Sequence, residues 1–161
     1  MEIDIVQLQI PEGCNIIVGQ SHFIKTVEDI AEIMANSVPG AKYGLAFSEA
    51  SGPCLVRTEG NETALVDAAA LCALLVSAGH SFYLILGPGA FPINVLDRIK
   101  ACLEVCRIFC ATANPVQIIR AKSAQGAGIL GVIDGSSPLG VEAEADKTDR
   151  KAMLRRFGYK F

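Results

Sequence analysis

The sequence predicts a three-layer α/β sandwich, a mixed β-sheet with helices on both faces, and three observations carry that prediction. Short apolar runs rich in β-branched and aromatic residues alternate with stretches of helical periodicity. Several of the strands follow one another directly, which disfavours a pure doubly wound parallel sheet. The glycine pattern Gly126, Gly128, Gly131 has the form of a dinucleotide-binding fingerprint, but its context excludes a standard Rossmann fold. That fingerprint needs a helix opening within it. Here Ile129, Leu130, Val132 and Ile133 run into the turn Asp134-Gly135-Ser136, which reads as a strand and its stop.

The elements follow in order. Ile3–Ile10 alternates as a half-buried strand, and Asn15–Val18 reads as a second, ending in the polar corner Gly19-Gln20-Ser21-His22. A helix begins near Thr26, with Thr26 as N-cap and Asp29 in a weaker capping box. Val27, Ile30, Ile33 and Met34 form its inward face, and Pro39-Gly40 ends it. Tyr43–Phe47 and Leu55–Thr58 read as strands around Glu49-Ala50-Ser51-Gly52-Pro53. Gly60-Asn61 opens an Ala/Leu helix buried on most sides, which Gly79 closes. Ser81–Leu86 is the clearest buried strand. After Gly87-Pro88-Gly89, a helix runs from Pro92 to about Val105, with Val95, Ile99 and Leu103 inward. Arg107–Ala111 is a strand. Val116–Arg120 and Ile129–Ile133 pair through the Ser123–Gly126 turn. A basic helix capped by Asp146 or Thr148 ends at Gly158.

A chain of 161 residues is most simply one domain, spanning 1–161. It is 51% apolar and only 19% charged, which points to apolar surface hidden in a homo-oligomer. A net charge of −3 argues against a nucleic-acid binder with a broad basic face. The longest apolar stretch, Ala64–Ala78, contains Asp67 and is too short to span a bilayer. Six cysteines without a C-x-x-C pair, and only two histidines, argue against a zinc site. With no signal-like N-terminus, they read as reduced core residues of a cytoplasmic protein.

Polar residues gather where apolar strands end: Ser21 and His22, Glu49 and Ser51, Gly79 and His80, Thr112 and Asn114, Asp134 and Ser136. Strand-end loops hold side chains rigidly yet accessibly, so these clusters predict a small-molecule pocket. Each also has a structural reading, because Ser, Thr, Asn and Asp bond turn backbone. His80 can equally be a structural histidine. Glu142, Glu144 and Asp146 read as Mg²⁺ ligands or as solvated and capping acids. The segment RKAMLRRFGYKF either docks as a surface helix or reaches a neighbour's phosphate site. No P-loop, kinase catalytic loop or nucleophile elbow is present.

Taken together, GQSHFIKTVED, AFSEASGPCLVR, AGHSF, PINVLDRIK, EVCRIFCATANP, GILGVIDGSSPLGVE and DRKAMLRRFGYK resemble the archaeal and bacterial adenosine-specific kinase family, from about Gly19 to Lys160. The resemblance implies an oligomeric three-layer subunit, with a trimer as the suggested assembly. It also implies binding of adenosine or AMP and phosphoryl transfer from a nucleoside triphosphate, with Mg²⁺ expected for that chemistry. The alternative is a non-enzymatic adenosine or AMP sensor. On this reading Asp134 is the first candidate for proton acceptor or metal ligand and His22 the second. Glu49, Ser51, Gly52, His80, Thr112 and Asn114 are candidates for binding the nucleoside, and Lys25 and Arg57 for phosphate. Gly126, Gly128 and Gly131 are expected to permit close backbone approach around the last strand.

Overall fold

Strands that are apolar on both faces must lie between two layers, and the centre of the molecule obeys this rule. The computed structural model describes residues 1–161. β3 (Tyr43–Ser48) and β5 (Ser81–Leu86) are buried along their whole length. They join β2 (Asn15–Ser21), β4 (Val56–Gly60) and β6 (Val105–Thr112) in a five-stranded sheet of order β4-β3-β5-β2-β6. The remaining strands, β1 (Glu2–Gln7), β7 (Val116–Lys122) and β8 (Ala127–Asp134), form a second sheet of order β1-β7-β8.

On one face of the large sheet lie α1 (Thr26–Ser37) and α3 (Leu96–Lys100). Val27, Ile30, Met34, Val95 and Ile99 pack there against Ile17, Leu45, Phe47, Phe82 and Leu84. The other face carries α2 (Thr63–Val76) and the small sheet side by side. Leu65, Ala69, Cys72 and Val76 of α2, with Val116 and Ile118 of β7, cover Ile16, Val18, Tyr83 and Ile85. The three-layer α/β sandwich expected from the sequence is therefore present.

Every ladder is antiparallel, so two antiparallel sheets stand where one mixed sheet was expected. The crossover helices explain how. β2 and β3, joined through α1, run parallel to each other, but β5 is inserted between them and pairs antiparallel with both. β3 is inserted in the same way between β4 and β5, which α2 connects. Interleaved crossovers thus convert parallel connections into antiparallel neighbours.

Five local expectations are corrected. Thr26 is the first buried residue of α1, not its cap. The cap position is Lys25, and the Thr26 hydroxyl donates to the Phe23 carbonyl at 2.6 Å. α2 ends at Ser77, left-handed at φ 53°, two residues before Gly79. Its outer face is not buried either: Leu71, Leu74 and Leu75 are exposed. The helix after Pro92 stops at Lys100, leaving Leu103 exposed on the way to β6. Finally, a Cβ at Gly126, Gly128 or Gly131 would meet nothing within 4 Å, so these glycines do not serve close backbone approach.

Gly44 does serve it. A Cβ there would fall 2.1 Å from the backbone carbonyl carbon of Leu65, where the first turn of α2 lies on β3. Gly44→Ala should therefore lift α2 off the sheet and destabilise the protein by roughly 3 kcal/mol or more. Urea unfolding checks this, and a change below about 1 kcal/mol would show that α2 does not depend on the contact.

Candidate functional site

The layer that holds α2 beside the small sheet is not filled at one end. Between the β3–β4 connection, the C-terminal end of α2 and the β7–β8 hairpin lies a cavity of about 720 Å³. Its walls include Ser48, Glu49, Cys54 and Leu55 on one side, Leu74 and Ser77–Gly79 below, and Lys122, Gln125, Gly126 and Gly128 on the other. A smaller hollow of about 110 Å³ shares Ala78, Gly79 and Gly128 with it and reaches Gln20, Ser81 and Phe109. The combined space is within the range of small-molecule sites, roughly 300–1,000 Å³.

Three interactions set its shape. Arg120, on β7, binds the carboxylate of Asp4 on β1 through Nε at 2.8 Å and Nη2 at 3.1 Å. Its Nη1 donates to the Leu75 and Val76 carbonyls at 2.7 and 2.6 Å. One guanidinium thereby joins the small sheet to the open carbonyl end of α2, where a cation is also favoured by the helix dipole. Below the cavity, the Tyr83 hydroxyl donates to Ser81 Oγ at 3.0 Å, which donates to the Ala78 carbonyl at 2.6 Å. The third is the loop after β3. The Glu49 N–H donates to the Leu55 carbonyl at 3.0 Å, and the Leu55 N–H returns to Glu49 Oε2 at 3.1 Å.

Arg57 Nη2 bonds both Glu49 oxygens at 3.2 Å. The Leu55 N–H, and after it the Arg57 guanidinium, hold the Glu49 carboxyl below its ordinary pKa against partial burial. Glu49 is thus an ionised acceptor at neutral pH, fixed in orientation and facing the cavity. Lys122, also in the wall, is paired with Asp4 at 2.7 Å.

The non-glycine residues with positive φ are Cys54 at 52°, Ser77 at 53° and His80 at 62°. Cys54 and Ser77 line the cavity, and His80 follows Gly79 of its wall. Left-handed conformations at such residues cost about 1–3 kcal/mol each and concentrate at functional sites. His80 is held there by its N–H to the Ser48 carbonyl at 2.7 Å, and its ring stacks on Phe47 with centroids 5.9 Å apart.

The residues singled out in the sequence divide between the two ends of the large sheet. Glu49 lines the cavity, Arg57 clamps it, and Ser51 and Gly52 lie in the same β3–β4 connection. His80 stands beside the wall. His22 and Lys25 follow β2 at the same sheet end, tied through the His22 N–H to the Glu104 carbonyl at 3.0 Å and through Lys25 to Asp29. They do not line the cavity. The Glu104 side chain is 3% exposed, with Oε2 3.8 Å from Lys25 Nζ and Oε1 unpartnered.

Thr112, Asn114 and Asp134 gather at the opposite end. The Asn114 N–H donates to the Thr112 hydroxyl at 3.0 Å, and Asn114 Nδ2 to Asp134 at 3.1 Å. The length of β8 separates Asp134 from the Gly128 wall, about 20 Å at the usual strand rise. The structure does not bring Asp134 to the cavity.

Ser48, Cys54, Ser77, Lys122 and Gln125 escaped the sequence reading. Only the unexplained glycines pointed toward this wall. Gly126 and Gly128 have negative φ and open space where a Cβ would be, so neither strain nor packing requires them. Their small size keeps the cavity wide.

The model for the adenosine-specific kinase family matches residues 6–160. The chain belongs to this family. A crystal structure of the PH1918 protein from Pyrococcus horikoshii OT3 is 38% identical, covering 99% of this chain and 98% of that one, with a TM-score of 0.94. No curated protein shows significant similarity. The chain shares its α/β fold with that structure over nearly its whole length, and none of its helices is long and apolar enough to cross a membrane.

Arg120, and after it Lys122, hold the Asp4 carboxyl far below its ordinary value. A depressed carboxylate stabilises the fold fully above its unfolded-state pKa of about 3.9, and the contribution fades as pH falls toward the folded value. Asp4→Asn should lower Tm at pH 7, and the gap to wild type should close steadily below about pH 4. Calorimetry from pH 7 to 2 checks this. A gap that stays constant would mean the carboxylate's charge contributes nothing.

Proposed function

We propose that the cavity binds adenosine and that the protein transfers the γ-phosphoryl group of a nucleoside triphosphate to the nucleoside's 5′-hydroxyl, releasing AMP and the diphosphate. The observation that carries this reading is the ionised, clamped Glu49 facing a cavity of nucleoside size in a chain of the adenosine-specific kinase family. Glu49 accepts a hydrogen bond from the hydroxyl to be phosphorylated and takes its proton as the new P–O bond forms. Phosphoryl transfer asks for little more covalent help than this, since positioning and charge neutralisation supply most of the rate. The aromatic base fits the apolar side formed by Leu55, Val56, Ala73 and Leu74, while Ser48, Ser77 and Gln125 offer hydrogen bonds to ring nitrogens and ribose.

Magnesium fits this site only in company. No cluster of three or more metal-ligating side chains occurs in the molecule, and Glu49 is the one carboxylate in the wall. A magnesium ion would be held mainly by the substrate phosphates and water, as it usually prefers, with Glu49 left as the proton acceptor. The ion's chemistry there would be charge neutralisation on the triphosphate.

A second reading, binding without transfer, is favoured by one observation. Each basic side chain near the cavity is already paired: Arg57 with Glu49, Arg120 and Lys122 with Asp4, and Lys25 with Asp29. AMP formation from adenosine and a triphosphate separates the two readings. Transfer supports the kinase, and binding without transfer supports a sensor.

Gly128→Leu tests the site itself. The added side chain meets no protein atom near its Cβ, so Tm should change by only a few degrees while adenosine affinity falls about tenfold or more, the worth of one lost contact set. Titration calorimetry reads both base preference and affinity. Unchanged affinity would place the nucleoside elsewhere. Glu49→Gln should lower turnover roughly a hundredfold with a much smaller change in adenosine affinity.

A further inference from the structure

The C-terminal arm has no place on its own subunit. α4 (Glu144–Arg156) contains no buried residue. Its hydrogen bonds and ion pairs close within the segment: Asp146 accepts the Ala143 N–H, Lys147 pairs with Glu144, and Arg150 pairs with Glu142. After it, the Tyr159 N–H returns to the Leu154 carbonyl, and Phe157 stacks edge-on with Tyr159. A helix of 13 residues with no packed face is marginal in water, because most helical stability in proteins comes from burying an apolar face. Yet this arm exposes Met153, Phe157, Tyr159 and Phe161. Such an element is built to be covered.

We propose that the arm docks on a second copy of this chain, across the rim of that copy's cavity, and delivers basic side chains to its mouth. Charge supports a copy of the same chain as the occupant. Residues 144–161 carry six basic and three acidic side chains, so the remaining 143 residues hold a net −6 of the total −3. The rim is apolar: Leu55 and Leu74, both in the cavity wall, are 51% and 64% exposed. Ile3, which pairs with Ala121 of that wall, is 60% exposed. Acidic charge and uncovered apolar rim thus belong to the body, and basic charge and uncovered apolar helix to the arm. The stretch 135–143 between β8 and α4 forms no regular element and spans up to about 30 Å when extended, which lets the arm reach a neighbour.

The docking does not depend on the proposed kinase reading, but the purpose of the charges rests on it. Phosphoryl transfer requires cations on the phosphates, and the basic side chains beside the cavity are engaged within their own subunit. Arg155 and Arg156, at the end of α4, are engaged with no acidic side chain and are the groups best suited to supply them from the partner.

The test needs no nucleoside. In full-length protein, wild type should run by light scattering as a multiple of 17.0 kDa, and both M153D/F157D and, separately, L74E should shift it toward the single-chain mass with the fold retained by circular dichroism. Cys54, exposed at the mouth, should be alkylated severalfold faster in either variant than in wild type, with exposed Cys106 as the internal reference. A wild type of single-chain mass, or an oligomer that survives both variants with Cys54 reactivity unchanged, overturns the docking. If the docking holds and R155A/R156A leaves phosphoryl transfer intact, the delivery of charge is overturned. Failure of adenosine binding in calorimetry would instead strike the functional reading and leave the docking standing.

Discussion

The cavity depends on one side chain, Arg120. The small sheet and α2 share a layer there, and apolar packing alone would tend to close the gap between them. The guanidinium prevents this by holding two elements at fixed separation, the Asp4 carboxylate on β1 and the last carbonyls of α2. It is nearly buried, with 11% of its side chain exposed, and its bidentate geometry gives orientation as well as attraction. Lysine could not replace it, because a point charge cannot bridge a carboxylate and two helix carbonyls in one plane. With α2 held in this way, Ser77 and the Ala78–Gly79 turn become a floor, and the glycines of the β7–β8 hairpin a wall.

Charge is distributed economically around that space. The Leu55 N–H, and after it Arg57, make Glu49 a fixed, ionised acceptor, and Lys122 is absorbed by Asp4. The subunit therefore presents hydrogen-bond acceptors and an apolar side to a ligand, a composition suited to a neutral nucleoside more than to a triphosphate. Basic side chains without an acidic partner, which the wall lacks, are concentrated in the C-terminal arm, the one element without a tertiary home.

Much of the fold was legible because hydrophobic periodicity reports burial directly. β5 is apolar at nearly every position and is buried at every position. The antiparallel ladders were not legible, since interleaving β5 between β2 and β3 is a long-range choice that leaves no local signal. Leu103 and the outer leucines of α2 were misplaced for a related reason, as apolarity says that a residue prefers burial but not that its own subunit provides it. At the site, Glu49 stood out because a carboxylate beside an apolar strand needs partners. Asp134 stood out equally, yet it lies at the far end of β8 with Asn114, and only the direction of the strand separates the two cases. Lys122 and Gln125 are ordinary residues in a hairpin and become notable only when β7 is laid beside α2. The glycines were noticed and given the wrong task, because sequence cannot distinguish a missing side chain that admits backbone from one that leaves a cavity open.

A crystal structure of the protein with adenosine decides which end of the large sheet holds the nucleoside. Nucleoside density is expected between the two walls of the cavity, with a ribose hydroxyl within hydrogen-bond distance of Glu49 and the nucleoside against Gly126–Gly128. Density at the opposite end of the sheet, on Thr112, Asn114 and Asp134, with the cavity holding only solvent, would contradict this placement.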